Sequence, residues 1–130
     1  MKERLIQDLS KVFEKNQILT SDLYREIYSR DGSYFNIKPE VIVRPENAAE
    51  VQQLLAIARS HQVGITFRTG GTSLSGQTVN DGIICELRTA WKRNEVRENG
   101  KKIWFEPGLT AAQVNKLLRT CLLYTSDAAD

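Results

Sequence analysis

The sequence predicts an α+β (α/β) domain, and three observations lead there. Residues 41–68 read as strand, helix and strand. A run rich in glycine and hydroxyl groups, Arg68 to Gln77, leaves the second strand. Further strand patterns and one capped helix then follow in place of another crossover. A chain of 130 residues with 41% hydrophobic and 26% charged content is one domain or part of one. Its net charge of +2 is small and its basic residues are dispersed, which argues against a nucleic-acid partner or a polybasic membrane anchor.

In chain order, Leu5, Ile6, Leu9, Val12 and Phe13 place one apolar stripe on an N-terminal docking helix. Met1 to Asn16 alternates charged with apolar residues and holds no uninterrupted apolar run. It is therefore expected to be neither a signal peptide nor a transmembrane helix, and a cytoplasmic location is the default. A short helix follows from Ser21 to Ser29, where Leu23 with Ile27 and Tyr24 with Tyr28 pair at i,i+4 until Asp31 and Gly32 break the pattern. The tyrosines are expected to pack. Between Pro39 and Pro45, Val41, Ile42, Val43 and Arg44 read as a buried strand. Asn47 and Glu50 have the spacing of a capping box, and Val51, Leu54, Leu55 and Ala58 continue a helix to Ser60, with Gly64 as its stop. His61 falls at that helix's C-terminus, where the dipole favours positive charge. Ile65 to Arg68 is the next strand, expected to lie parallel to the first through a right-handed crossover.

After the loop, Asn80, Asp81 and Gly82 signal a turn and Ile83 to Leu87 a strand, in which Cys85 is a small core residue. Cys85 and Cys121 have neither metal-ligand nor disulfide-framework spacing. Asn99-Gly100 divides a hairpin between Glu95 and Glu106, with Trp104 expected in the core. Pro107 and Gly108 turn the chain, and Thr110 with Gln113 caps a helix carrying Val114, Leu117 and Leu118 on one face. Residues 121–130 resemble the conceptual translation of a transposase adapter used in sequencing-library preparation and are set apart from the fold.

The loop leaves the carboxyl end of a strand, where open α/β sheets bind ligands. Gly70, Gly71 and Gly76 let the backbone take positive φ and turn N–H groups toward an anion, and Thr72, Ser73 and Ser75 add hydroxyl donors. From Gly71 to Thr78 the glycine spacing is that of a P-loop, yet Gln77 stands where such a loop needs Lys, and no helix follows. A Rossmann glycine fingerprint is also missing.

Val43, Arg44 and Pro45, the helix from Asn47, the loop Thr69–Gln77 and the later Glu106, Pro107 and Gly108 resemble the start of the FAD-binding domain of the vanillyl-alcohol oxidase and p-cresol methylhydroxylase (PCMH-type) superfamily. Tyr28 to Ser33 and the Gly71–Gly76 run are most similar to its D-lactate dehydrogenase and glycolate oxidase branch. The resemblance covers residues 37–120 and implies that they are the first subdomain of the FAD-binding domain; with the readings above, the chain divides into a helical segment over 1–36, this incomplete domain over 37–120, and adapter-derived sequence over 121–130. It implies that Arg68, Thr69, Gly70, Gly71, Thr72, Ser73, Leu74, Ser75, Gly76 and Gln77 wrap the FAD pyrophosphate and that Pro107 and Gly108 pass close to the cofactor. Some superfamily members carry at the position of Thr72 a histidine bonded to the flavin, so the FAD expected here is noncovalent.

The implied chemistry is oxidation of a small 2-hydroxy acid such as D-lactate or glycolate, by hydride transfer to the flavin, with the protein supplying binding and orientation. The electron acceptor stays open among a quinone, a cytochrome and an iron–sulfur domain, and an iron–sulfur cluster would belong to a missing C-terminal part. Peripheral association with the inner membrane stays open as well. No catalytic base is assigned. Arg44 and Arg68 are read equally as anion contacts and as structural cations. The other class of function is a nucleotide- or partner-binding module without chemistry, because a fold establishes a site and not a reaction.

Overall fold

The computed structural model describes residues 2–119, which divide after Leu87 into two compact units. In the first, β1 (Ile18–Leu19), β2 (Val41–Val43), β3 (Ile65–Arg68) and β4 (Ile83–Glu86) form one sheet in the order β1-β2-β4-β3. β2 and β3 each pair in parallel with β4, and β1 pairs antiparallel with β2. The strand, helix, strand unit is thus parallel as expected, with β4 inserted between its two strands. This is the mixed α and β architecture predicted from the sequence.

Every residue of β2 and β4 is buried, as strands covered on both faces must be. Alternation splits their side chains between two clusters. Val41, Val43, Ile83 and Cys85 pack with Leu5 and Leu9 of α1 (Lys2–Leu9), with Phe13, and with Leu54 and Ala58 of α3 (Ala48–Ser60). Ile42 and Ile84 face the other way, onto Leu19 and Tyr28. The Cys85 thiol belongs to this core, and burial pushes its pKa up to about 12, which removes it as a nucleophile near neutral pH.

Local chemistry sets the ends of α3. Asn47 accepts the Glu50 N–H at 2.9 Å through its side chain, and the Glu50 carboxylate returns to the Asn47 amide and the Glu46 N–H. The stop is not Gly64 but Gln62, at φ 54°. The Gln62 N–H donates to Arg59 O and the Val63 N–H to Ala58 O, a Schellman closure that uses the left-handed conformation two residues earlier than glycine placement suggests. His61 reaches Asp8 at 2.8 Å and so ties α3 to α1.

One expectation near the N-terminus needs correction. α1 stops at Leu9, and the rest of its stripe is delivered by turns in which the Val12 and Phe13 N–H groups both donate to Leu9 O. α2 (Asp22–Ile27), capped by Ser21, buries none of its residues; Leu23 is 69% and Ile27 55% exposed.

The second unit holds the expected hairpin, β5 (Asn94–Arg97) and β6 (Lys102–Phe105), joined by a 3-10 turn in which Asn99 takes φ 54°. Trp104 is not a core residue: it is 45% exposed, since its strand belongs to a two-stranded ribbon. α4 (Ala111–Arg119) starts at the Thr110–Gln113 capping box, with the Thr110 N–H donating to Gln113 Oε1 at 2.9 Å, and buries Val114 and Leu118. Residues 121–130 lie outside those described.

Candidate functional site

Three adjacent strands of the parallel sheet end in charge. Arg44 follows β2, while Glu86 closes β4 and Arg68 closes β3. Glu86 is 3% exposed and its carboxylate lies 3.2 Å from Arg44 Nε, so a buried acid at the sheet's carboxyl edge is matched by a cation. The Arg44 guanidinium also donates to the Tyr28 hydroxyl at 3.4 Å and lies 5.9 Å from the Tyr24 ring. The Arg68 guanidinium stands 4.9 Å from the Tyr28 ring and donates to Tyr28 O and Thr78 O. Both tyrosines therefore seat arginines, a role beyond the packing that their helical spacing suggests.

From Arg68 the chain enters the glycine loop. Gly71 and Gly76 take φ +67° and +74°, and an added Cβ at either would overlap the Arg68 guanidinium or the Phe35 ring. Ser73 organises the interior: its hydroxyl accepts the Ser75 and Gln77 N–H groups at 3.3 and 3.2 Å and is therefore already engaged. The N–H groups of Gly70, Gly71, Thr72, Ser73, Leu74 and Gly76 take no acceptor among the described residues. Thr69, Thr72 and Ser75 keep their hydroxyls without a partner there as well, on exposed side chains. Such a row of donors with no carboxylate among them suits an anionic group such as a diphosphate.

Asp31 closes the loop's far end. Its Oδ1 accepts the Ser33 N–H and hydroxyl, and its Oδ2 accepts the Thr78 N–H and hydroxyl at 3.4 and 3.0 Å. The hydrogen bonds from Ser33 first, and from Thr78 after them, hold the Asp31 carboxyl down to about 2. From sequence Asp31 is only a helix breaker; the Asp31-Gly32-Ser33 spacing is the available signal for an Asx turn.

Loop residues Arg68 to Gln77 thus lie together as one continuous candidate site in the first unit. Pro107 and Gly108 lie in the second unit, where Pro107 is exposed and the buried Gly108 donates its N–H to Trp91 O at 2.7 Å. Beside them the buried Glu106 accepts from the Arg93 N–H and guanidinium, which holds its carboxyl below the usual range.

The fold is that of the PCMH-type flavoproteins. Over 91% of this chain and 24% of its own, 4-ethylphenol oxidase from Gulosibacter chungangensis superposes with a TM-score of 0.80 at 17% identity. A p-cresol methylhydroxylase structure with substrate bound does so with a TM-score of 0.77 at 16% identity, again over 91% of this chain and 24% of its own. Residues 39–130 match the family described as FAD binding domain, and the chain belongs to that family. In sequence it is similar to D-2-hydroxyglutarate dehydrogenase of Escherichia coli (strain K12), 28% identical over 119 residues that are 88% of this chain and 12% of that protein. It is also similar to the glycolate oxidase subunit GlcD of Bacillus subtilis (strain 168), 27% identical over 131 residues, 98% of this chain and 27% of that protein. The chain therefore spans 12% and 27% of the lengths of these two relatives.

Proposed function

We propose that this chain is the opening part of an FAD-dependent oxidoreductase acting on a small 2-hydroxy acid, and that its Arg68–Gln77 loop binds the FAD diphosphate noncovalently. The observation that carries this reading is the row of N–H groups on Gly70, Gly71, Thr72, Ser73, Leu74 and Gly76 that take no acceptor among the described residues, at the carboxyl end of β3, in a chain belonging to a family of FAD binding domains. The names of the two relatives, a 2-hydroxyglutarate dehydrogenase and a glycolate oxidase subunit, both point to 2-hydroxy acids.

Bound FAD would supply the acceptor for hydride from the hydroxyl-bearing carbon. Residues 2–119 contribute binding and orientation. Gly71 and Gly76 allow the backbone close to the phosphates, Thr72 and Ser75 add hydroxyl donors, and Arg68 brings positive charge to the loop's base. No base is assigned: His61 is held by Asp8 and the Cys85 thiol is buried.

Flavin absorbance and the melting temperature of the full-length protein, purified with excess FAD, test the reading. We expect a stoichiometric yellow complex, a higher Tm with FAD, and bleaching of the flavin by 2-hydroxy acids. Residues 1–130 alone are expected to bind FAD weakly or not at all. A full-length protein that takes up no flavin ends the proposal; one that binds flavin yet is never bleached fits a nucleotide-binding module instead.

A further inference from the structure

We propose that the segment Tyr28–Phe35 is a brace that sets the glycine loop in its ligand-ready shape, with Asp31 and Tyr28 as positioning residues for the bound diphosphate. This inference rests on the FAD reading above. Nothing in the chemistry of Asp31 or Tyr28 touches a phosphate; both act through the loop.

Four contacts define the brace, and they meet the loop at its base, middle and end. At the base, the Tyr28 ring and carbonyl hold the Arg68 guanidinium, and the same guanidinium reaches Thr78 O at 3.4 Å, so one cation links the loop's first residue to the residue just beyond its last. Gly71 packs on that guanidinium so closely that a Cβ there would overlap it. At the end, Asp31 gives one carboxylate oxygen to its own turn at Ser33 and the other to Thr78. Phe35 sits against Gly76.

The middle contact orients the donors. A Cβ on Gly32 would lie 3.1 Å from both Thr72 O and Ser73 O, so two successive carbonyl oxygens are turned toward the brace. Both peptides are trans, since no cis bond occurs among the described residues. A trans peptide points its N–H opposite to its carbonyl. The Ser73 and Leu74 N–H groups therefore both point away from the brace, side by side, as an anion nest requires. The brace is itself fixed at its root: the Ile37 N–H donates to Ser29 O at 2.8 Å, and Arg30 bridges Asn36. Preorganisation of this kind lowers the ordering cost of binding without adding a contact to the ligand.

The test compares FAD affinity, read by flavin fluorescence, with the melting temperature of the apo-protein, in the full-length protein and its variants. Asp31→Ala should raise the FAD Kd about tenfold. Its apo-protein should still fold, with a Tm lowered by only a few degrees, and the flavin spectrum at saturation should be unchanged. Tyr28→Ala should weaken binding to a similar degree, and Tyr28→Phe, which keeps ring and carbonyl, should restore it to within about twofold. Thr78→Ala removes the hydroxyl that donates to Asp31 Oδ2 and serves if Asp31→Ala does not fold. Wild type and Asp31→Ala binding FAD equally would overturn the brace and leave the FAD reading standing. A wild-type protein that binds neither FAD nor inorganic pyrophosphate would remove the FAD reading, and the brace's role with it.

Discussion

Strands β2 and β4 are buried at every position, whereas β5 is exposed at every position. The difference starts in composition. Val41-Ile42-Val43 and Ile83-Ile84-Cys85 present apolar groups to both faces, so each face needs a cover, and α1 and α3 on one side and Leu19 and Tyr28 on the other provide it. Asn94-Glu95-Val96-Arg97 offers one apolar residue, and its ribbon is held by ladder hydrogen bonds and by surface ion pairs such as Arg97–Glu95 and Lys102–Glu98. Such exposed pairs contribute little, and a two-stranded hairpin is marginal without packing. The lesson is that burial stabilises the sheet that carries the glycine loop, while local geometry shapes the hairpin.

Leu54→Ala tests that contrast most severely. Leu54 is fully buried against the sheet, and its truncation should cost about 2–5 kcal/mol in urea unfolding. Val96→Ala in β5, where Val96 is 37% exposed, should stay within about 0.5 kcal/mol. Equal losses at the two sites would break the comparison.

Gly71→Ala should have an intermediate effect. The left-handed backbone alone costs a residue with a Cβ about 1–2 kcal/mol, and the new methyl must also displace the Arg68 guanidinium. A melting curve unchanged from wild type would show that the loop relaxes freely.

The smallest effect sharpens the comparison by asking whether a single surface carboxylate can fix a loop. The Asp31 pKa is lowered from 3.8 to about 2, so the unfolded chain takes up the proton first as the pH falls. Stability from Asp31 is complete above about pH 4 and is lost as the pH drops through about 2. Arg68, the cation that feels its charge, stays protonated throughout this window. The Thr78 amide shift, followed by NMR from pH 5 downward, should titrate with a midpoint near 2; a midpoint near 4 would mean that Asp31 does not hold the loop.

Much of the fold was legible because it rests on local signals. The capping boxes at Asn47 and Thr110 and the Asn99-Gly100 turn act within a few residues, and all appear where the sequence puts them. The hidden features are long-range. Ile18-Leu19 is too short for any periodicity and becomes a strand only by pairing with Val43 and Ile42. Trp104 reads as core by size, yet nothing in sequence reveals that its ribbon has two strands. The Gly71–Gly76 run announces the site by composition, whereas its support from Tyr28 and Asp31 spans 40 and 47 positions and leaves no local trace.

The place of β4 between β2 and β3 has a consequence for how the chain acquires its shape. A nascent chain that has emerged only as far as Gly82 holds two parallel strands whose shared neighbour is still unmade, since Val41, Ile65 and their successors all register on Ile83 to Glu86. Joining them closes a long segment before any ladder bond repays the lost entropy, a step that slows assembly. The glycine loop lies in the stretch that leads into β4. It is therefore shaped in the same event that completes the sheet, so a nucleotide added early in synthesis would meet no formed cradle.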